Sequence, residues 1–280
     1  MRSATAILEV AGIETGVVMR QVGQWSTGAR RAVAKAWVAF FLLAAVAPAV
    51  RAATPEPIRN VVLVHGALSD GSQWREVYDR LVRDGYHVSV VQHPLRSLDD
   101  DVATTRRIIA QQDGPVVLVG HSYGGAVISM AGVDPKVKAL VYVAAFQPDQ
   151  GESMTALMAR MPAPQWELKP LGDGQGMLDR ADFANVYAQD LPVDRTDFLA
   201  ASQVPIATAI FTTALGPVAW HDKPSYGIVA TQDHGISSDL QRWMYRRAKA
   251  HVVEVESSHA VMMSHPEVVV AEIEQAATGR

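Results

Sequence analysis

The chain contains no cysteine, so disulfides, thiolate metal sites and cysteine nucleophiles are excluded. It has little net charge. Its 25 basic and 29 acidic residues leave −4 over 280 positions, which offers no footing for nucleic-acid binding. It also lacks an apolar run of the ~20 residues that a transmembrane helix requires. Internal repeats and low-complexity segments are absent as well. What remains is 49% hydrophobic and 19% charged, a balance that suits one medium-sized globular domain with a full core.

Residues 1–52 do not read as part of that domain. Arg30, Arg31 and Lys35 precede a mostly apolar run over residues 36–46. Pro48 then leads into the small-residue stretch Ala49-Val50-Arg51-Ala52-Ala53. A basic region, a short apolar region and a small-residue cleavage site are the parts of a secretory signal peptide. The expectation is cleavage after Ala52, export to a periplasm or the medium, and no stable membrane span after processing. An uncleaved anchor and a buried first helix are the alternatives, and Met19 is an alternative start. Removal of residues 1–52 leaves 19 basic against 27 acidic side chains, a mature charge of −8.

From Arg59 onward, short apolar runs alternate with helical patterns. Strands are expected at residues 61–64, 87–91, 115–119, 138–145, 226–230 and 251–255. Residues 74–83 carry apolar side chains at helical spacing. Ser97 caps a helix running to about Gln112, with Asp99, Asp100 and Asp101 in its first turn, where the helix dipole favours acidic groups. Pro266 opens a closing helix. This alternation predicts an α/β fold: a mostly parallel central sheet with helices on both faces. Residues 146–224 interrupt it with eight prolines and several short helical patches. They are expected to form a small helical cap inserted over the strand ends, within a domain spanning residues 53–280. Met154, Leu157, Met158, Met161, Trp166 and Phe198 give the cap an apolar inventory. They either pack it onto the body or line an acyl or alcohol pocket.

The segment Gly120-His121-Ser122-Tyr123-Gly124 lies between the run Pro115-Val116-Val117-Leu118-Val119 and a stretch of small and apolar residues. Strand, sharp turn and helix form the setting in which G-x-S-x-G is a nucleophile elbow. Without that setting the match is an ordinary glycine-rich turn. A serine hydroxyl needs a base, and the base needs an acid to hold its tautomer. In this architecture the chain order is Ser, then Asp or Glu, then His. Asp233 lies just beyond the strand at 226–230, and His259 just beyond the strand at 251–255. Asp149 is the runner-up acid. His234, His265 and His121 are read as structural. An oxyanion also needs donors. Val64-His65-Gly66-Ala67 follows the first strand, and the backbone N–H groups of Ala67 and Tyr123 would supply two. His65 is expected to shape this loop, with Trp74 packed beneath it.

Together these residues resemble the α/β-hydrolase superfamily over about residues 58–277. Val64-His65-Gly66-Ala67 with Gly71-Ser72-Gln73-Trp74, Gly120-His121-Ser122-Tyr123-Gly124-Gly125, and Ser258-His259 look like the branch holding plant methylesterases, hydroxynitrile lyases and small bacterial carboxylesterases. The resemblance implies a Ser122–His259–Asp233 triad, an oxyanion hole at Ala67 and Tyr123, a small-molecule ester substrate, and neither cofactor nor metal. The expected export departs from the usually intracellular plant members. The reading is an exported serine esterase working through an acyl-enzyme. A lyase or cofactor-free peroxidase-type enzyme on the same triad is one rival. The lyase would need a cation near the site, with Lys223 and Lys169 as candidates. A non-catalytic binding protein is the other.

Overall fold

A computed structural model describes residues 57–161 and 166–279. The expected signal segment, and Pro162 and Pro164 of the insertion, lie outside the described residues. Strand β1 (Asn60–Val64) leads through a 3-10 turn (Gly71–Trp74) to helix α1 (Arg75–Arg83) and β2 (His87–Val91). Then come α2 (Leu98–Ala110), β3 (Val116–His121), α3 (Gly124–Ala131) and β4 (Val137–Val143). The insertion holds α4 (Met154–Met158), β5 (Leu168–Gly172), β6 (Gln175–Leu178), α5 (Arg180–Tyr187), α6 (Val193–Ala201), β7 (Ile206–Ala207) and α7 (Ala209–Thr212). The body resumes with β8 (Ser225–Ala230), α8 (Ser238–Arg247), β9 (His251–Val255), α9 (Val261–Ser264) and α10 (Pro266–Thr278). Among the described residues no helix is long and apolar enough to cross a membrane.

The central sheet runs in the order β2-β1-β3-β4-β8-β9, and every described pairing within it is parallel. Parallel strands covered on both faces lose the polar alternation of a half-exposed sheet. Accordingly, β1, β3 and β8 are buried at every residue. The edge strands β2 and β9 are only partly buried. Helices α1 and α10 pack together on one face. On the other, Ser129 of α3 and Tyr245 of α8 both meet the Tyr142 side chain of β4. Strand order reverses between β1 and β3. Such a switch point opens a crevice at the carboxyl ends of the strands, and the loops after β1 and β3 meet there.

The expected elements are present with small shifts at their ends. Ser97 caps α2 by accepting from Asp100 N–H at 3.1 Å. Asp101, expected to act only through the helix dipole, instead turns inward and is fully buried. Two features were not anticipated. The insertion contains, besides its helices, a three-stranded antiparallel sheet in the order β5-β6-β7. Helix α8 fills the interval between β8 and β9. Its inner face carries buried Leu240, Met244 and Tyr245 interrupted by buried Gln241, and this polar residue breaks the apolar stripe on which a sequence reading depends.

Helix α3 passes very close to the chain beyond β4. A Cβ added to Gly125 would lie 2.0 Å from the Phe146 carbonyl oxygen. That oxygen belongs to buried backbone and cannot rotate aside, so Gly125→Ala is expected to destabilise the domain by about 3 kcal/mol. Urea unfolding against the parent chain measures this, and an unchanged midpoint would contradict the packing described.

Candidate active site

Ser122 joins β3 to α3 with φ of +53°, in the left-handed region that costs a residue with a side chain about 1–2 kcal/mol. Three main-chain bonds hold it there. Its N–H donates to Val143 O at 3.3 Å, and its carbonyl accepts from Gly125 N–H at 3.0 Å and Phe146 N–H at 3.1 Å. A Cβ on Gly124 would sit 2.7 Å from the carbonyl oxygens of both Val64 and His65. Glycine there lets the elbow approach the loop after β1.

Asp233 and His259, on the loops after β8 and β9, meet with His259 Nδ1 donating to Asp233 Oδ2 at 2.7 Å. The Asp233 carboxylate is buried yet well supplied with donors. Oδ1 accepts from Gly235 N–H at 2.7 Å and Ile236 N–H at 2.8 Å, and Oδ2 accepts from Gln241 Nε2 at 2.8 Å. Gln241 also accepts from Ala230 N–H at 3.1 Å and donates to Ile236 O at 2.9 Å. This positioning residue escaped the sequence reading along with its helix. The signal that could have found it is a lone glutamine on the apolar side of a helix just after the acid. With Nδ1 committed to Asp233, His259 Nε2 is left as the proton acceptor. Ser122 and His259 line one cavity. Among the described hydrogen bonds none joins the serine hydroxyl to the ring, and such contacts often tighten only when substrate binds.

His121 is a scaffold for this arrangement. Its Nε2 lies 3.0 Å from His259 O, and its Nδ1 lies 3.3 Å from Gln73 Nε2. A carbonyl can only accept, so Nε2 carries the proton, and Nδ1 receives the Gln73 amide. Burial, with His259 adding to it, holds the His121 pKa well below the ordinary histidine value. The cap joins in through Tyr187 of α5. Its hydroxyl donates to Gln73 Oε1 at 2.8 Å, and its ring stands edge-on to His259 with centroids 5.2 Å apart.

The loop after β1 brings Ala67 to the same cavity as Ser122. His65 Nδ1 donates to Gly66 O at 2.9 Å, and His65 Nε2 accepts from His93 N–H at 3.3 Å. Burial, together with neighbouring His93, lowers the His65 pKa to about 3. Trp74 is fully buried and meets His121 edge-on. Among the described residues, neither Ala67 N–H nor Tyr123 N–H is engaged in a main-chain bond.

Most of the cavity wall is apolar: Leu68, Phe146, Trp166, Leu178, Phe211 and Ile236. Of the cap residues singled out from sequence, Trp166 lines it, with Nε1–H donating to Gly235 O at 3.0 Å. Met154 and Leu157 are core, and Phe198 is exposed. The other candidates fall elsewhere. Asp149 pairs with His221 at 2.8 Å, His234 lies 2.9 Å from Asn185 O, and His265 lies 3.5 Å from Glu267. Neither candidate cation lines the cavity. Lys169 pairs with Asp179 in an outer cleft that shares Trp166, Leu178 and Val186 with the cavity, and Lys223 donates to the carbonyls of Gly132 and Asp134.

Residues 61–272 match the profile of the alpha/beta hydrolase family. A carbendazim hydrolyzing esterase of Nocardioides sp. (strain SG-4G) is 31% identical over 180 residues, covering 56% of this chain and 72% of that protein. Salicylic acid-binding protein 2 of Nicotiana tabacum is 25% identical over 245 residues, covering 75% and 93%. The crystal structure of polyneuridine aldehyde esterase superposes with a TM-score of 0.67 at 21% identity, covering 77% of this chain and 98% of that one. At that identity the likeness establishes a shared fold.

Two outcomes follow from the buried polar groups. Unfolded His65 titrates near 6.5, whereas the folded side chain stays neutral down to about pH 3. Between these values the unfolded chain binds the extra proton, so this contribution to stability is complete above about pH 7 and is lost as the pH falls. At pH 5.5 the loss is about 1 kcal/mol from His65, and His121 acts in the same direction. Calorimetric Tm values at neutral and mildly acid pH are expected to fall less steeply in His65→Asn. Gln241→Ala leaves Ala230 N–H without its partner and removes one donor from Asp233. It is expected to cost about 1–3 kcal/mol, read from the same melts.

Proposed function

The chain belongs to the alpha/beta hydrolase family, and from that premise we propose that it is a serine esterase. The observation that carries this reading is the convergence at one cavity of a serine on a left-handed elbow and a histidine bonded to a buried carboxylate at 2.7 Å. Ser122 Oγ attacks the ester carbonyl carbon and passes its proton to His259 Nε2. The carbonyl oxygen becomes an oxyanion facing the N–H groups of Ala67 and Tyr123, and such donors are worth about 10²–10³ in rate each. As the tetrahedral adduct collapses, the alkoxide leaves with the proton from His259. Water then attacks the acyl-serine, gives its proton to His259, and the acid departs as Ser122 is restored. Asp233 holds the His259 tautomer and stabilises the imidazolium.

The apolar wall favours an uncharged ester with a compact apolar group. Relatives named as esterases support ester cleavage. The paired cations support hydrolysis over a lyase reaction, since neither Lys169 nor Lys223 lines the cavity. The basic, apolar and small-residue segments ending at Ala52 support export of the mature chain.

The test is hydrolysis of p-nitrophenyl esters from C2 to C16. Turnover is expected to peak at short chains and fall toward C16, for which the cavity walled by Leu68, Trp166 and Phe211 leaves little room. Ser122→Ala and His259→Ala are each expected to lower kcat by at least about 10⁴-fold. Folded protein without turnover on any ester would overturn the esterase reading.

A further inference from the structure

The two oxyanion donors stand on separate loops, Ala67 after β1 and Tyr123 after β3. A donor works only if it lies about 2.7–3.1 Å from the position the oxyanion will take. Something must therefore set both peptides relative to each other. A peptide unit is planar, with its N–H pointing opposite to its C=O, so the carbonyl end steers the donor end. The carbonyl paired with Ala67 N–H is Gly66 O, which His65 Nδ1 holds at 2.9 Å. The carbonyl paired with Tyr123 N–H is Ser122 O, which the N–H groups of Gly125 and Phe146 hold.

Behind these peptides lies a buried polar chain that the reaction itself does not use. The Tyr123 hydroxyl donates to Asp101 Oδ2 at 2.7 Å. Asp101 is fully buried, and its Oδ1 accepts from Leu95 N–H at 3.0 Å. Its Oδ2 also lies 3.4 Å from His93 Nδ1. His93 Nε2 donates to His65 O at 2.9 Å, and its ring stacks on the His65 ring with centroids 3.7 Å apart. The carboxylate thus holds the residue carrying the Tyr123 donor directly, while its approach to His93 Nδ1 is contact without a hydrogen bond, because His93 spends its proton on His65 O. Burial and the Asp101 charge raise the Tyr123 pKa well above the ordinary tyrosine value, which keeps its hydroxyl a donor throughout the working pH range.

We propose that Asp101, acting through the Tyr123 hydroxyl, is a positioning residue that fixes the Tyr123 oxyanion donor relative to the one on the loop after β1. The proposal rests on the esterase reading. Asp101 touches no reacting atom. It fixes the side chain of the residue that follows the nucleophile, at an N-cap position where no side-chain capping bond holds the first turn of α3.

The test uses the full chain with Tyr123→Phe and Asp101→Asn, each checked by circular dichroism and thermal melting. Kinetics on p-nitrophenyl acetate are read beside inhibition by a trifluoromethyl ketone, whose serine adduct carries the oxyanion. Misplaced donors are expected to lower kcat by about 10- to 100-fold, with KM within about twofold. The ketone should weaken by the same factor, and the double variant should be no worse than the poorer single one. An active parent whose folded variants keep kcat and ketone affinity overturns this proposal alone, as does a rise in KM with kcat unchanged. If neither variant folds, Asp101 is a folding element and the proposal is overturned. A folded parent chain without ester turnover, even when fully soluble, overturns this and the esterase reading together.

Discussion

Ser122 holds a left-handed backbone because three chain segments converge on it more closely than side chains would permit. Gly124 lets α3 meet the loop after β1, and Gly125 lets it meet the chain after β4. The bonds from Val143, Gly125 and Phe146 then leave the Ser122 peptide one orientation. Overdetermined strain of this kind persists only where the surroundings enforce it. Everything functional in the fold follows from that crossing. It sets Ser122 at the cavity and draws the loops after β1 and β4 into contact with the elbow.

The site around it runs on neutral imidazoles and one well-supplied carboxylate. His65 and His121 are buried and neutral, so each can donate from one nitrogen and accept at the other, which suits them to join backbone segments. His121 ties the elbow to the His259 carbonyl, and His65 ties β1's loop to the segment bearing His93. A charged ring could not accept at either place. Asp233 is the opposite case. Its four bonds, from two backbone N–H groups, the Gln241 amide and His259, offset the cost of burying a carboxylate. The cap completes the enclosure, since Tyr187 and Trp166 anchor to body atoms while presenting their rings to the cavity.

Much of this was legible in the chain. Strands β2 and β9 match the expected spans, because short β-branched runs bounded by turn residues carry their own signal. Ser122 is read from the G-x-S-x-G turn after an apolar run, and Asp233 and His259 from the chain order and their places just beyond later strands. The misses share a cause. Gln241 and Asp101 are polar residues that turn inward, and a one-dimensional pattern assigns polar residues to solvent. Strands β5, β6 and β7 are short; β5 and β6 pair locally across Asp173-Gly174, whereas β6 and β7 join residues far apart in the chain, as between Gln175 and Ala207.

The sequence by itself determined where the six strands of the central sheet fall along the chain, the glycines around the elbow, and the chain order of serine, acid and histidine. These are local properties, carried by hydrophobic period and turn chemistry within a few residues. Only the tertiary structure decided which polar groups meet. The carboxylate of Asp101 reaches a tyrosine 22 positions away, and Gln73 reaches a cap tyrosine 114 positions away. Neither spacing has a signature, because such partners are chosen by how the sheet's loops and the cap close over one crevice. The physical reason is that a buried polar group must find a partner wherever packing has left one.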